Sequence, residues 1–198
     1  MPKNVFIKSG VLALLSGVLV SCTSVPIMSY PKLATLDPET MELADIELAV
    51  RMQDDFGIIE DSAIISVGLV HKETGDAIQK QFILEENPEP LTETLQRKQK
   101  ADYVIRRFKM APETAAEATE YRAEVIKRRE AEPGKQHEGT FSASVGFCMQ
   151  PEGNPFLDPR MTLFLRTAPD KNFFTMIKET KVALPRDKQE QAKRCEVE

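Results

Sequence analysis

Alternation at period two constrains this chain more than any other feature of it. Ile46, Leu48, Val50 and Met52 fall on one side of an extended segment, and Glu47, Ala49, Arg51 and Gln53 on the other. Successive side chains of a strand point to opposite faces, so the run predicts a half-buried strand over 46–53. The pattern returns over 140–148, where Phe141, Ala143, Val145 and Phe147 oppose Thr140, Ser142, Ser144, Gly146 and Cys148. That second face is built of small residues and permits close approach by another layer. Residues 161–167 repeat the alternation, with Met161, Leu163 and Leu165 on one side.

Other elements fill in around these. Residues 64–70 are apolar on both faces and predict a central strand covered on two sides. Glu73-Thr74-Gly75-Asp76 supplies a reversal, since Gly and Asp tolerate the φ values of a tight turn, and 78–84 returns as a hairpin partner. Asn87-Pro88-Glu89-Pro90 stops it. Residues 91–100 are helix formers, whereas Tyr103-Val104-Ile105 and Phe108 predict a strand over 102–110.

A helix is predicted over 112–132. Pro112 suits its first position, Glu113 and Glu117 lie near its positive end, and Lys127, Arg128 and Arg129 near its negative end. Pro133-Gly134 terminates it. At 100° per residue, Ala111, Ala115, Ala118, Val125 and Ile126 form a shallow stripe that also contains Arg122 and Arg129. These arginines either snorkel their stems over the core or face an acidic partner or phosphate. Residues 173–184 fit a last strand or a short helix. The expected fold is α+β: an antiparallel sheet or small sandwich of six or seven strands, with one helix between the fourth and fifth packed on it.

The formal charge of −5 hides an asymmetry. Between Asp37 and Glu89 fourteen acids face only Arg51, Lys72 and Lys80, a balance of −11; between Arg97 and Lys109 six bases face Asp102, a balance of +5. Such blocks attract each other within a fold or present a polar surface to a partner, which makes Arg106, Arg107, Arg122 and Arg129 the candidate partner-facing cations. An acidic chain argues against nucleic-acid binding. With 41% apolar and 29% charged residues, a globular fold is expected.

The first 22 residues carry Lys3 and Lys8, an apolar run of ten residues from Val11 to Val20, and then Leu19-Val20-Ser21-Cys22 at its close. The run is half of the roughly 20 residues that a spanning helix needs. Leu19-Val20-Ser21-Cys22 resembles the lipobox of bacterial lipoproteins. The resemblance implies a signal peptide over 1–21, diacylation of the Cys22 thiol, cleavage before it and acylation of the new amine. Thr23, which is not Asp, points in that family to the outer membrane facing the periplasm. Thr23 to Pro38, with Pro26 and Pro31, reads as a tether of about 20–25 Å average span. The mature chain, without Lys3 and Lys8, carries −7, and 39–198 is expected to form one domain.

With Cys22 assigned to lipid, Cys148 and Cys195 remain. An oxidising compartment and an even remainder point to one disulfide pinning the C-terminal tail to the end of a strand. Closing a loop of roughly 48 residues stabilises by about 4 kcal/mol in the chain-entropy picture. The rival role for Cys148, a nucleophile, needs a nearby histidine, and only His71 and His137 exist.

The sequence holds no phosphate-binding glycine loop, no G-x-S-x-G elbow and no zinc-ligand spacing, so neither a cofactor nor a metal is implied. Asp54-Asp55 and Glu60-Asp61 around Phe56-Gly57 are either solvated acids or a loose calcium loop. Residues 152–159 have turn chemistry and read as a strand connection, and His137-Glu138 is a weak candidate base and orienter. The expectation is a non-enzymatic, membrane-anchored envelope lipoprotein that docks a protein partner. The rivals are an envelope hydrolase, which requires a cleft holding a histidine beside a carboxylate, and a binder of small ligands.

Overall fold

The 46–53 alternation forms strand β1 (Glu47–Gln53), but the strand buries both faces rather than one. Leu48, Val50 and Met52 enter the main core, while Glu47, Ala49 and Arg51 are also buried, on the opposite side. The cause is the 87–100 segment, which folds back over that second face: Leu91 and Leu95 pack with Ala49, Phe164 and Phe173. This strap is fixed by polar groups as well, since Arg51 Nη1 donates to the Lys98 carbonyl at 2.6 Å. Arg107 Nη1 donates to the Pro90 carbonyl at 2.6 Å.

The computed structural model describes residues 41–131, 137–154, 157–181 and 194–195. The signal peptide and the tether expected over 1–38 lie outside the described residues. A 3₁₀ turn (Leu43–Asp45) leads into β1, followed by β2 (Phe56–Ile58), β3 (Ile64–His71), β4 (Ala77–Ile83) and the short β5 (Glu85–Glu86). Then come α1 (Glu93–Gln96), β6 (Tyr103–Lys109) and the main helix α2 (Pro112–Ala131). The chain continues through β7 (His137–Ser144), β8 (Phe147–Met149), β9 (Arg160–Arg166) and β10 (Phe174–Lys181). The class is α+β, with ten strands among the described residues because β2 and β5 add short pieces and the 140–148 run splits in two.

That split has a local cause. Gly146 donates its N–H to Ser62 Oγ at 3.0 Å and accepts from Ile59 N–H at 3.1 Å, and a Cβ there would meet Ser62 Cβ at 2.9 Å. The chain therefore changes sheets at this point: β7 pairs with β3 and β8 with β2. Of the two options for 173–184, the strand is the one found.

Among the described residues every pairing between the ten strands is antiparallel. A five-stranded sheet runs β10-β9-β1-β6-β5, a three-stranded sheet runs β4-β3-β7, and β2-β8 forms the third. Leu48, Val50, Leu163, Leu165 and Phe108 of the larger sheet share one core with Ile65, Val67, Leu69 and Phe82 of the smaller. Helix α2 completes that core through Ala118, Tyr121 and Val125. Its buried stripe is rotated from the expected one toward Tyr121, whose hydroxyl donates to the Val67 carbonyl at 3.2 Å. Arg122 is displaced to the rim of the interface, where it pairs with Glu42 at 3.0 Å.

Candidate functional site

Much of the opposite charge meets inside the fold, and Arg107 in particular is turned inward rather than toward a partner. Arg107 is only 3% exposed and pairs with Glu47, which is equally buried. Glu47 also pairs with Arg166 and accepts from Asn87 Nδ2 at 3.2 Å. Register brings them together, because Glu47 stands opposite Arg166 on β9 and near Arg107 on β6. Arg106 is half-buried and reaches Glu86 at 2.9 Å, Lys109 reaches Glu89 at 3.3 Å, and Arg122 is committed to Glu42. Arg129 is half-buried on α2. The Lys109 ammonium beside it holds the Glu89 carboxyl below its ordinary range. Arg106, Arg107 and Lys109 thus each pair with an acid of the preceding segment.

A second cluster lies farther along the same sheet face. Arg51 Nη2 donates to Thr162 Oγ1 at 3.1 Å and to Glu179 Oε2 at 3.4 Å. Its guanidinium also lies 5.7 Å from the Tyr103 ring centre and 5.8 Å from that of Phe164. Lys100 donates to the same carboxylate at 2.7 Å, and Arg160 stands 3.8 Å from its other oxygen. The Lys100 hydrogen bond lowers the Glu179 pKa against the opposing cost of burial.

Cys148 and Cys195 are disulfide-bonded. Gly57 of β2 makes room for the bridge: a Cβ there would lie 2.7 Å from Cys195 Sγ. Beside the bridge Met149 pairs in parallel with Arg194, Cys195 N–H donates to the Met149 carbonyl at 2.8 Å, and Arg194 Nη1 donates to the Pro151 carbonyl at 2.5 Å. Neither sulfur is a free nucleophile, which removes the catalytic reading of Cys148.

The sequence reading missed the meeting of the two histidines. His71 ends β3 and His137 opens β7 at directly opposed positions, so residues far apart in sequence stack edge to face with ring centres 5.1 Å apart. They line a cleft of about 320 Å³ with Asp76, Arg128, Leu69 and Ile78. The signal available was that each histidine closes an alternating run, but the register joining those runs is not written in either one.

The cleft offers both hydrogen-bond donors and acceptors. His71 Nδ1 accepts the backbone N–H groups of Glu73 at 3.3 Å and Thr74 at 3.2 Å. His71 thereby caps its own hairpin turn. Thr74 Oγ1 donates to Asp76 Oδ2 at 2.8 Å. Glu138 lies on the opposite face of β7 from His137, because adjacent strand residues diverge, so the two do not converge as base and orienter. At the other candidate, Asp55 Oδ1 accepts Asn154 N–H at 2.8 Å and closes the turn before β2. Among the described residues no three His, Cys, Asp or Glu side chains converge on one point. No protein-family model, curated protein or solved structure matches the chain.

Proposed function

We propose that this chain is a lipid-anchored protein of the cell envelope, held through Cys22 at the outer membrane and facing the periplasm. There it acts as a non-catalytic binding or assembly-accessory module for an envelope protein. The observation that carries the reading is the Cys148–Cys195 bond. Disulfides persist in oxidising compartments, and this one uses both cysteines other than Cys22. It agrees with the lipobox resemblance on the side of the membrane where the folded part resides. Two or more acyl chains, at about 0.8 kcal/mol per buried methylene, give the firm attachment that a peripheral module needs.

Intact-mass measurement of membrane-extracted protein tests it. The expected mass is that of residues 22–198 plus lipid, with a gain of two hydrogens on reduction. Retention of Met1 with all three thiols free would overturn the reading. Crosslinking in membranes should then capture an envelope protein, and Cys22→Ala should abolish both acylation and capture.

A second reading has one observation in its favour, the cleft that holds both histidines beside Asp76. It supports a small polar ligand hydrogen-bonded by His71 and Arg128. Hydrolysis at the same place lacks an activated nucleophile, because the bare nitrogen of His71 is turned toward backbone amides. Loss of ligand protection in the His71→Ala/His137→Ala variant, with the fold retained, identifies that reading.

A further inference from the structure

Sheet edges expose unpaired N–H and C=O groups, and proteins blunt them with charge, brevity, irregularity or cover. Among the described residues every edge carries such a device except one. β10 breaks its register twice and bears Lys178, Glu179 and Lys181. β5 is two acids long, and β2 and β8 are three residues each. β4 places Lys80 at its centre, paired with Glu117 of α2 at 3.5 Å.

β7 has none of these. It runs eight residues in unbroken register with β3, and from Gly139 to Ser144 it carries no ionisable side chain. Among the described residues no strand pairs with its second edge. Its outward face carries Thr140 and Ser142 beyond Glu138 and continues across the sheet to Gln79, whose Nε2 donates to the buried Ser66 Oγ at 2.7 Å.

We infer that β7 is a dimerisation edge that pairs antiparallel with β7 of a second copy, joining two three-stranded sheets into one of six strands. The occupant follows from self-complementarity. Centring the pair on Phe141 sets Phe141 against Phe141, Thr140 against Ser142, Gly139 against Ala143 and Glu138 against Ser144. No like charges meet, and an aromatic pair forms on the core side. The same operation on β4 opposes Lys80 with Lys80. A two-fold contact of this kind closes on itself, and the edges left at the two ends of the joined sheet are the β4 strands, each guarded by Lys80.

Sedimentation equilibrium of the full-length protein in mild detergent should give twice the protomer mass. Thr140→Lys/Ser142→Lys, which sets cations against cations across the seam, should halve it while the Cys148–Cys195 bond still forms. Register is tested by co-expressing a Thr140→Cys copy with a Ser142→Cys copy. A reducible bond between the two copies is expected, and the matching Gln79→Cys and Gln81→Cys pair on β4 should give none. Wild-type protein sedimenting as one protomer, a lysine variant that stays dimeric, or equal crosslinking at both edges would overturn the inference. Cys22→Ala protein must still dimerise, so this result stands apart from that of the anchor.

Discussion

Glu47 sits where two arginines converge with their charges removed from water, and a buried ion pair is costly to break from one side. Glu47→Ala leaves Arg107, 3% exposed, with the solvent-facing Glu89 carboxylate at 3.5 Å and the Glu89 and Pro90 carbonyls as the neighbours of its charge. Removing one partner of such a pair costs about 3–5 kcal/mol, and we expect that loss in urea denaturation. Sequence reading placed Glu47 correctly on the minor face of an alternating strand. It could not show that this face would be roofed, because the roof is an irregular segment with no periodicity to read. Two glycines separate space from backbone conformation. Gly68→Ala pushes a Cβ to 2.3 Å from the Ile78 carbonyl oxygen and 2.9 Å from Thr140 Oγ1, so neighbouring strands must shift. Gly75→Ala meets nothing within 4 Å but sits at φ +75°. The first should cost about 1–3 kcal/mol through overpacking, and the second about 1–2 kcal/mol through left-handed strain. Only the first should also perturb the β3–β4 amide resonances.

At the scale of elements, the long strands and the main helix were legible because each carries its own period. The face of α2 was less so. A stripe made largely of alanine has almost no angular contrast, so the burial of Tyr121 and the displacement of Arg122 to Glu42 depended on what β3 and the Leu43–Asp45 turn present to the helix. The histidine cleft was illegible for the related reason that it is made by register between strands. One inter-element tie has a pH signature. Glu179 on β10 is shared by Arg51 of β1, Lys100 of the strap and Arg160 of β9. Its pKa is lowered in the fold, chiefly by the Lys100 hydrogen bond. A lowered carboxyl contributes stability that is full above its unfolded pKa and is lost as pH falls through the folded one. Glu179→Gln should therefore lower the melting temperature most at neutral pH. The gap to wild type should narrow as pH drops below the ordinary glutamate range, and thermal melts across that range read both features. A gap that does not change with pH would mean that the glutamate acts by packing alone.

For the molecule as a whole, the disulfide and the five-stranded sheet do different work. The sequence separation of 47 between Cys148 and Cys195 encloses β9 and β10, the two strands that extend the sheet beyond β1. Those strands are held independently, β9 by six registered positions against β1 and β10 by its pairing with β9. Reduction should therefore leave the fold intact and act mainly by restoring freedom to the unfolded chain. Closing a loop of this length contributes about 4 kcal/mol. The Cys148→Ala/Cys195→Ala chain should keep its far-ultraviolet spectrum, yet unfold at a clearly lower urea concentration with a larger surface-dependent slope, because its unfolded state is no longer crosslinked. The contact between Met149 and Arg194 should go with the bond, since a parallel bridge of one residue pair and one side-chain hydrogen bond cannot hold a tail by themselves. In the reduced wild-type chain, loss of protection at Cys195 N–H in hydrogen exchange, with protection along β1 and β9 unchanged, would separate the two contributions. Collapse of β9 and β10 protection together would instead make the bridge a condition of the sheet.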